Sequence, residues 1–299
     1  MSESKGAVSR RDFVRAGSGA AVAGVLGLHA LAQDRQAAPA TSRVVLVRRS
    51  EAVGEDGGVR AEVVHEMFDQ AVTTLLGEAD RAAAWKRLVG PDDVVGIKTN
   101  AWHYLPTPPA LEDAVRSAVL AAGVAPDNVA VDDRGVRSNP VFRRATALVN
   151  MRPMRSHHWS GLGTCLKNYI MFVERPADHH PDTCASLGSI WQLPELAGKT
   201  RLNVLVMLTP QFHGVGPHGY SPEYVWPYRG LIVGTDPVAV DATGARIMQA
   251  KRDQYFGKPS PISPPPHHIA LADTRYHLGV SDKERIELVR LGWEEGALI

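Results

Sequence analysis

The chain predicts a single α/β domain with a mostly parallel sheet and helices on both faces. Three observations carry that prediction. Short β-branched apolar runs alternate with segments of helical spacing, the pattern of a sheet covered by helices. Several of the runs end in polar residues, as strands do where open α/β sheets hold ligands. The composition is globular, with 44% hydrophobic and 22% charged residues in a chain of 299.

The first 32 residues read as an address rather than as structure. Arg10-Arg11 precede an uncharged Gly/Ala-rich stretch, Ala16 to Ala32, that ends in Ala30-Leu31-Ala32. Paired arginines, a weakly apolar run and an A-x-A end form a twin-arginine export signal, with cleavage expected after Ala32. The run is about 16 residues, short of the ~20 that span a bilayer. The expected partner is therefore the twin-arginine translocation machinery, in transit to the periplasm, with no stable membrane span after cleavage. Residues 33–42 read as a Gln/Ala/Pro linker and residues 43–299 as the domain. Beyond residue 32 the basic and acidic residues nearly balance, with no block of one sign, so nothing points to nucleic acid.

Arg43–Val47 is an apolar β-branched strand. Val63 to Leu76 has the apolar spacing of a helix, and Asp80 to Leu88 forms a second, shorter one. Val94–Ile97 is a strand that runs on into Lys98, Thr99 and Asn100. Pro108-Pro109 opens a helix over Ala110–Ala122 that Gly123 ends. Val129–Val131 is a strand ending at Asp132 and Asp133. With Val44–Val47, Val94–Ile97 and Val204–Leu208 it is expected to lie centrally in the sheet. Pro140–Leu148 reads as a helix, Val149–Met154 as a short strand, and Cys184–Leu196 again as helical. Thr200–Leu208 is a strong strand. Thr209–Arg229, rich in Gly, Pro and aromatic residues, is a long irregular loop of the kind that carries function. Leu231–Gly234 is another strand. Asp236 then caps a helix with Pro237 at its first position. His267 opens a further helix expected to end at Gly279, and Ile286–Val289 reads as a late edge strand.

The stretch around which the chain is organised runs from Asn150 to Val173. It holds His157-His158, a turn with Gly161 and Gly163, Cys165, and Lys167-Asn168. Ser160 is expected to cap a helix carrying Leu162, Cys165, Leu166, Tyr169 and Ile170 inward. The glycine-rich start of that helix would favour an anion. The segment Arg152-Pro153-Met154-Arg155-Ser156-His157-His158 through Leu166-Lys167-Asn168 resembles the central motif of the family known as domain of unknown function 362. Val95-Gly96-Ile97-Lys98-Thr99-Asn100 resembles its V-G-I-K-x-N element. Gly234-Thr235-Asp236-Pro237-Val238-Ala239-Val240-Asp241 resembles its D-P-V-A-x-D element. Together these span roughly residues 90–250. Arg155 stands where the family often has Lys, and Thr99 where it often has Pro. Many relatives carry a cysteine-rich portion. This chain has two cysteines, Cys165 and Cys184, too few for a four-thiolate iron–sulfur or zinc site, so no iron–sulfur cluster is expected within it. In an oxidising compartment the two could pair, and Cys165 reads as a buried, inert thiol.

Two functional classes follow. In the first, the chain is an exported metal-dependent enzyme, redox chemistry included, acting on a small anion. Lys167, His157, Lys98 and Asp236 are then the catalytic candidates. Asn100, Arg155, Asn168 and Asp132 are the substrate-binding candidates. His157, His158, His179 and His180 would hold a transition metal, with His213 and His218 as further imidazoles. In the second, it is a non-enzymatic periplasmic binding protein for a small anion or metal. Lys98, Arg155 and Lys167 suit a carboxylate or phosphate in either case. No local metal motif such as H-E-x-x-H and no G-x-S-x-G elbow is present.

Overall fold

The computed structural model describes residues 41–214 and 219–299. The expected export signal, residues 33–40 of the expected linker, and His218 lie outside the described residues. The linker's predicted end is close, because Ser42 already opens the first strand.

Eight strands form one mixed, mostly parallel sheet: β1 (Ser42–Arg48), β2 (Val95–Lys98), β3 (Val129–Asp132), β4 (Ala147–His157), β5 (Gly161–Gly163), β6 (Thr200–Gln211), β7 (Gly230–Gly234) and β8 (Ile286–Gly292). Their order is β3-β2-β4-β6-β7-β1-β8, with β5 paired to β4. β2, β3, β4 and β6 run parallel to their neighbours in that group. β7 is antiparallel to both β6 and β1, and β8 is parallel to β1. Helices cover both faces, as predicted. One face packs α1 (Ala61–Leu76), α2 (Arg81–Leu88) and α3 (Pro109–Ala121) against Val95, Ile97, Val149, Val204 and Val206. Fully buried side chains such as Phe68 and Met67 on α1 contribute about 2 kcal/mol each through lost apolar surface. The other face packs α5 (Cys165–Asn168), α7 (Leu187–Trp191), α8 (Pro237–Phe256) and α9 (His267–Thr274) against Leu148, Met154, Leu205 and Ile232. Two four-residue helices, α4 (Pro140–Arg143) and α6 (Pro181–Cys184), complete the set. Among the described residues, no helix is long and apolar enough to cross a membrane.

Four local readings change. β3 is an edge strand rather than a central one, and β1 sits next to the opposite edge. The helix predicted over Pro140–Leu148 stops at Arg143, because Ala147 and Leu148 are already paired in β4. β4 runs on to His157, well past the short strand expected. The organising stretch is a β-hairpin and not a capped helix. Gly161–Gly163 pairs back on Arg155–His157, and the helix begins only at Cys165. The turn needs Gly161, whose φ is +72°, a left-handed value that side chains resist. Ser160 caps nothing there, and its hydroxyl donates to Leu162 O instead.

Candidate functional site

Strand direction decides which polar residues meet. The carboxyl ends of β2, β3, β4 and β6 lie at one edge of the sheet. Lys98, the last residue of β2, is fully buried. Its Nζ donates to Asp133 Oδ1 at 2.5 Å, Thr99 O at 2.7 Å and Asn168 Oδ1 at 3.3 Å. Asn168 is the hub. Its Oδ1 also accepts from Asn100 Nδ2 at 3.4 Å and Arg152 Nη1 at 3.3 Å, while its Nδ2 donates to Asn150 Oδ1 and Met151 O. Asn150 in turn donates to Asn203 and to Cys165 O. This asparagine network fixes the short helix α5 on the sheet.

Arg152 and Arg155 come from β4 itself. The register of β4 against β6 shifts between Pro153 and Arg155, an irregularity that lets the Arg152 guanidinium and the Arg155 side-chain stem both lie by Gly163. Arg155 donates to Asn100 Oδ1 at 3.1 Å and lies over the Trp102 ring, 4.0 Å from its centroid. Both arginines are buried, at 4% and 5% exposure, and the Nε of each lacks a hydrogen-bond partner. A cationic N–H left unpaired in the interior is costly.

Lys167, 3% exposed, faces another way on α5. Its Nζ donates to Cys184 Sγ at 3.6 Å. Burial first, then Arg152 and Arg155, push its pKa down to about 8, against the opposing effect of Cys184. Burial likewise lowers Lys98 to about 8 despite Asp133. The imidazoles nearby record the same field. His157 is held neutral, far below its ordinary value, by burial and then by Lys167, Arg152 and Arg155. His180 falls to about 4 and His268 to about 3, through burial and then Lys167. His157 Nδ1 accepts from Trp159 N at 3.3 Å, which leaves its Nε2 as the N–H.

The negative charge present is small. Asp133 is lowered below its ordinary value: burial opposes ionisation, but the charge and hydrogen bond of Lys98 overcome it. Asp241, on the first turns of α8, accepts from the N–H groups of Cys165 and Leu166 at 2.8 Å each. It thus caps α5, and burial raises it to about 7. Four buried cations therefore have two carboxylates for company, Asp133, whose ionisation Lys98 favours, and Asp241, whose ionisation burial disfavours. Among the described residues, none of Arg152, Arg155 and Lys167 forms an ion pair with a carboxylate.

Sequence reasoning brings Lys98, Asn100, Arg155, Asn168, Lys167 and His157 to this edge, and the structure gathers them there. Asp236 is not among them. β7 runs opposite to β6, so its carboxyl end lies at the other edge of the sheet. Asp236 there caps α8 through Val238 N and Ala239 N, and also accepts from Ser42 Oγ and Val280 N. Asp132 uses its two oxygens on Gly135 N and Asn139 Nδ2, closing a turn beside the site. The histidine metal set does not assemble. His157 stacks on His158, Trp159 stacks on His180, and His179 bonds to Ser186 Oγ. Among the described residues, no group of three or more His, Cys, Asp or Glu converges to hold a metal. His213 bonds to Arg252. Cys165 and Cys184 are free, buried thiols.

Arg152, Asn150, Asn203, Cys184 and His268 were not among the residues nominated for the site. Arg152 carried a signal, since a charged residue midway along an apolar strand has to be partnered. Surface hollows lined by Arg134, Arg137 and Glu174, by Phe142 and Leu196, and by Arg48 and Trp293 do not include the cationic centre.

The fold and site define an α/β protein with a buried cationic centre at the carboxyl ends of its parallel strands. A family model described as domain of unknown function (DUF362) matches residues 134–246, which supports the resemblance drawn from the motifs. That span contains the hairpin, α5 and Asp236 to Asp241, and leaves out the β2 element. No curated protein and no solved structure matches the chain.

Proposed function

We propose that this protein is exported and binds a small carboxylate- or phosphate-bearing molecule at the centre formed by Arg152, Arg155, Lys98 and Lys167. One observation carries the reading: the two arginines are buried, lack carboxylate partners, and keep an Nε unpaired. An oxyanion would supply the missing charge and accept those donors, and a guanidinium fork suits such a group. The neutral His157 offers a further N–H without adding charge. The metal-dependent reading has no ligand set among the described residues to support it, so the proposal rests on the anion alone.

Thermal denaturation with inorganic phosphate and with mono- and dicarboxylates tests it. A ligand present at about 100 times its Kd should stabilise the protein by ~2.7 kcal/mol. The phosphate and carboxylate arms tell the two ligand sources apart. Failure of every anion to shift the transition would count against the reading. Export has its own test. Replacing Arg10 and Arg11 with lysine should leave the precursor inside the cell, and undiminished export would remove the address.

A further inference from the structure

Away from the cationic centre, another buried guanidinium lacks a carboxylate. Arg48, the last residue of β1, is 3% exposed. β7 is antiparallel to both β6 and β1, so β1 ends at the same edge of the sheet as β4 and β6, and β8 ends there with it. Open α/β sheets hold ligands at such strand ends. Three strand spacings separate β1 from β4, roughly 14 Å at ~4.8 Å each, so Arg48 stands apart from Arg152 and Arg155.

The guanidinium is held in place. Its Cζ lies 4.2 Å from the Tyr228 ring centroid and 4.4 Å from that of Trp293. Nε donates to Tyr228 O at 2.9 Å, and Nη1 to Trp293 O at 3.3 Å and Glu295 O at 2.7 Å. Carbonyl oxygens fix the group without neutralising it. Nη2 has no acceptor among the described residues and is not one of the sealed-in, unpartnered atoms, so it reaches accessible space. Arg48 lines a cavity of about 200 Å³ with Leu46, Arg290, Leu291, Trp293 and Ala297. In the β1–β8 register Gly292 stands beside Arg48 and Arg290 beside Leu46. Residues paired in this way share a face, so Arg290 lies on the face of Arg48, and Gly292 puts no side chain over it. Arg290 donates one N–H to Ile299 O at 3.2 Å. Among the described residues neither arginine forms an ion pair. Glu294 is the acid of the lining, which leaves one positive charge in excess.

We propose that this cavity is a second ligand site, which takes a small monocarboxylate with a short apolar body. The carboxylate accepts from Arg48 Nη2 and from the Arg290 guanidinium. The body lies against Leu46, Leu291, Ala297 and the Trp293 ring. The volume equals that of about seven waters at ~30 Å³ each, room for a chain of about four carbon atoms. One excess positive charge matches one negative charge, and Glu294 disfavours a dianion such as phosphate. With one buried donor free, the cavity fills only at anion concentrations well above those that saturate the cationic centre. The site uses none of that centre's residues and stands without it.

The test is NMR titration of the isotope-labelled full-length chain with butyrate, neutral butanamide and inorganic phosphate. Butyrate should move the Trp293 indole and Ala297 amide signals to saturation. Butanamide, of the same length but uncharged, and phosphate should each act at least about tenfold more weakly on those signals. Arg290→Gln changes an exposed side chain, so the fold is kept, and the butyrate response at Trp293 and Ala297 should weaken about tenfold. Equal shifts with butanamide overturn the inference, because the carboxylate would then contribute nothing. Phosphate binding as tightly as butyrate overturns the ligand class. An unaltered butyrate response in Arg290→Gln overturns the site. Butyrate shifts confined to Gly163 and its hairpin overturn it as well while supporting the cationic centre, so the two sites fail separately.

Discussion

The two edges of the sheet hold buried polar groups in opposite states of satisfaction. At one edge Asp236 accepts from four donors: Ser42 Oγ, Val238 N, Ala239 N and Val280 N. Gly279 leaves room for this, since an added Cβ would strike the carboxylate. At the other edge Arg152 and Arg155 hold more donors than the protein accepts. A saturated carboxylate has no capacity left for a ligand, whereas an under-satisfied cation has. All three residues are buried and charged, so burial and charge do not separate structure from function here. Their hydrogen bonding differs, complete at Asp236 and incomplete at the two arginines.

Substitutions at the two edges should therefore fail in opposite ways. Asp236→Ala leaves four donors unpaired and removes a helix cap. It should cost about 3 kcal/mol of stability while the folded fraction binds anion normally. Chemical denaturation with parallel anion titration reads both quantities, and a loss of affinity at unchanged stability would return Asp236 to the site. Arg152→Met should do the reverse. Affinity should fall about a hundredfold, ~2.7 kcal/mol, and stability should hold or rise, because an under-partnered buried ion gives way to an apolar side chain of similar length. A destabilised variant with intact affinity would make Arg152 a strut.

Gly163→Ala sharpens the comparison at smaller scale. The added Cβ would lie 2.8 Å from Arg152 Nη2 and 3.4 Å from Arg155 Cγ. The guanidinium must shift, so affinity should drop about tenfold with a stability change of ~1 kcal/mol. Calorimetric titration of that variant resolves the shift, and unaltered affinity would place the ligand away from Arg152.

The two ends also differ in their response to pH. Lys98 and Lys167 titrate near 8 in the folded chain and near ~10.4 unfolded. Between those values the native state binds fewer protons than the unfolded state. Their contribution to the stability of the ligand-free protein thus rises as pH climbs through that window. Anion affinity should move the other way, weakening above pH 8 as the ammonium charge is lost. Asp241, raised to about 7, adds a lower window. There the native state binds more protons than the unfolded state, and its contribution falls between about pH 4 and 7. Denaturant titrations across pH, with and without anion, check both signs.

Much of the site was legible in the sequence because polar residues at the ends of apolar strands are rarely idle. Lys98 and Asn100 follow Val94–Ile97, and the structure keeps them at the rim. Asp236 failed because strand direction was assumed. The signal against it was present: the sequence between Leu208 and Leu231 reads as an irregular loop with no helical spacing, and a parallel connection needs a crossover, usually a helix. The hairpin at Gly161–Gly163 was hidden for a different reason. Leu162, Cys165, Leu166, Tyr169 and Ile170 have helical spacing, but the turn at Gly161 and the extended Thr164 delay the helix to Cys165. The thiol–amine contact of Cys184 with Lys167 depends on three left-handed residues, which no periodicity announces.

The central claim is that the surplus of buried cations is a ligand site. Isothermal titration of wild-type and Arg152→Met protein, with the anion that most raises the thermal transition, tests it most directly. The account predicts one anion bound per chain in the wild type and about a hundredfold weaker binding in the variant. Binding of equal strength in both proteins would contradict it.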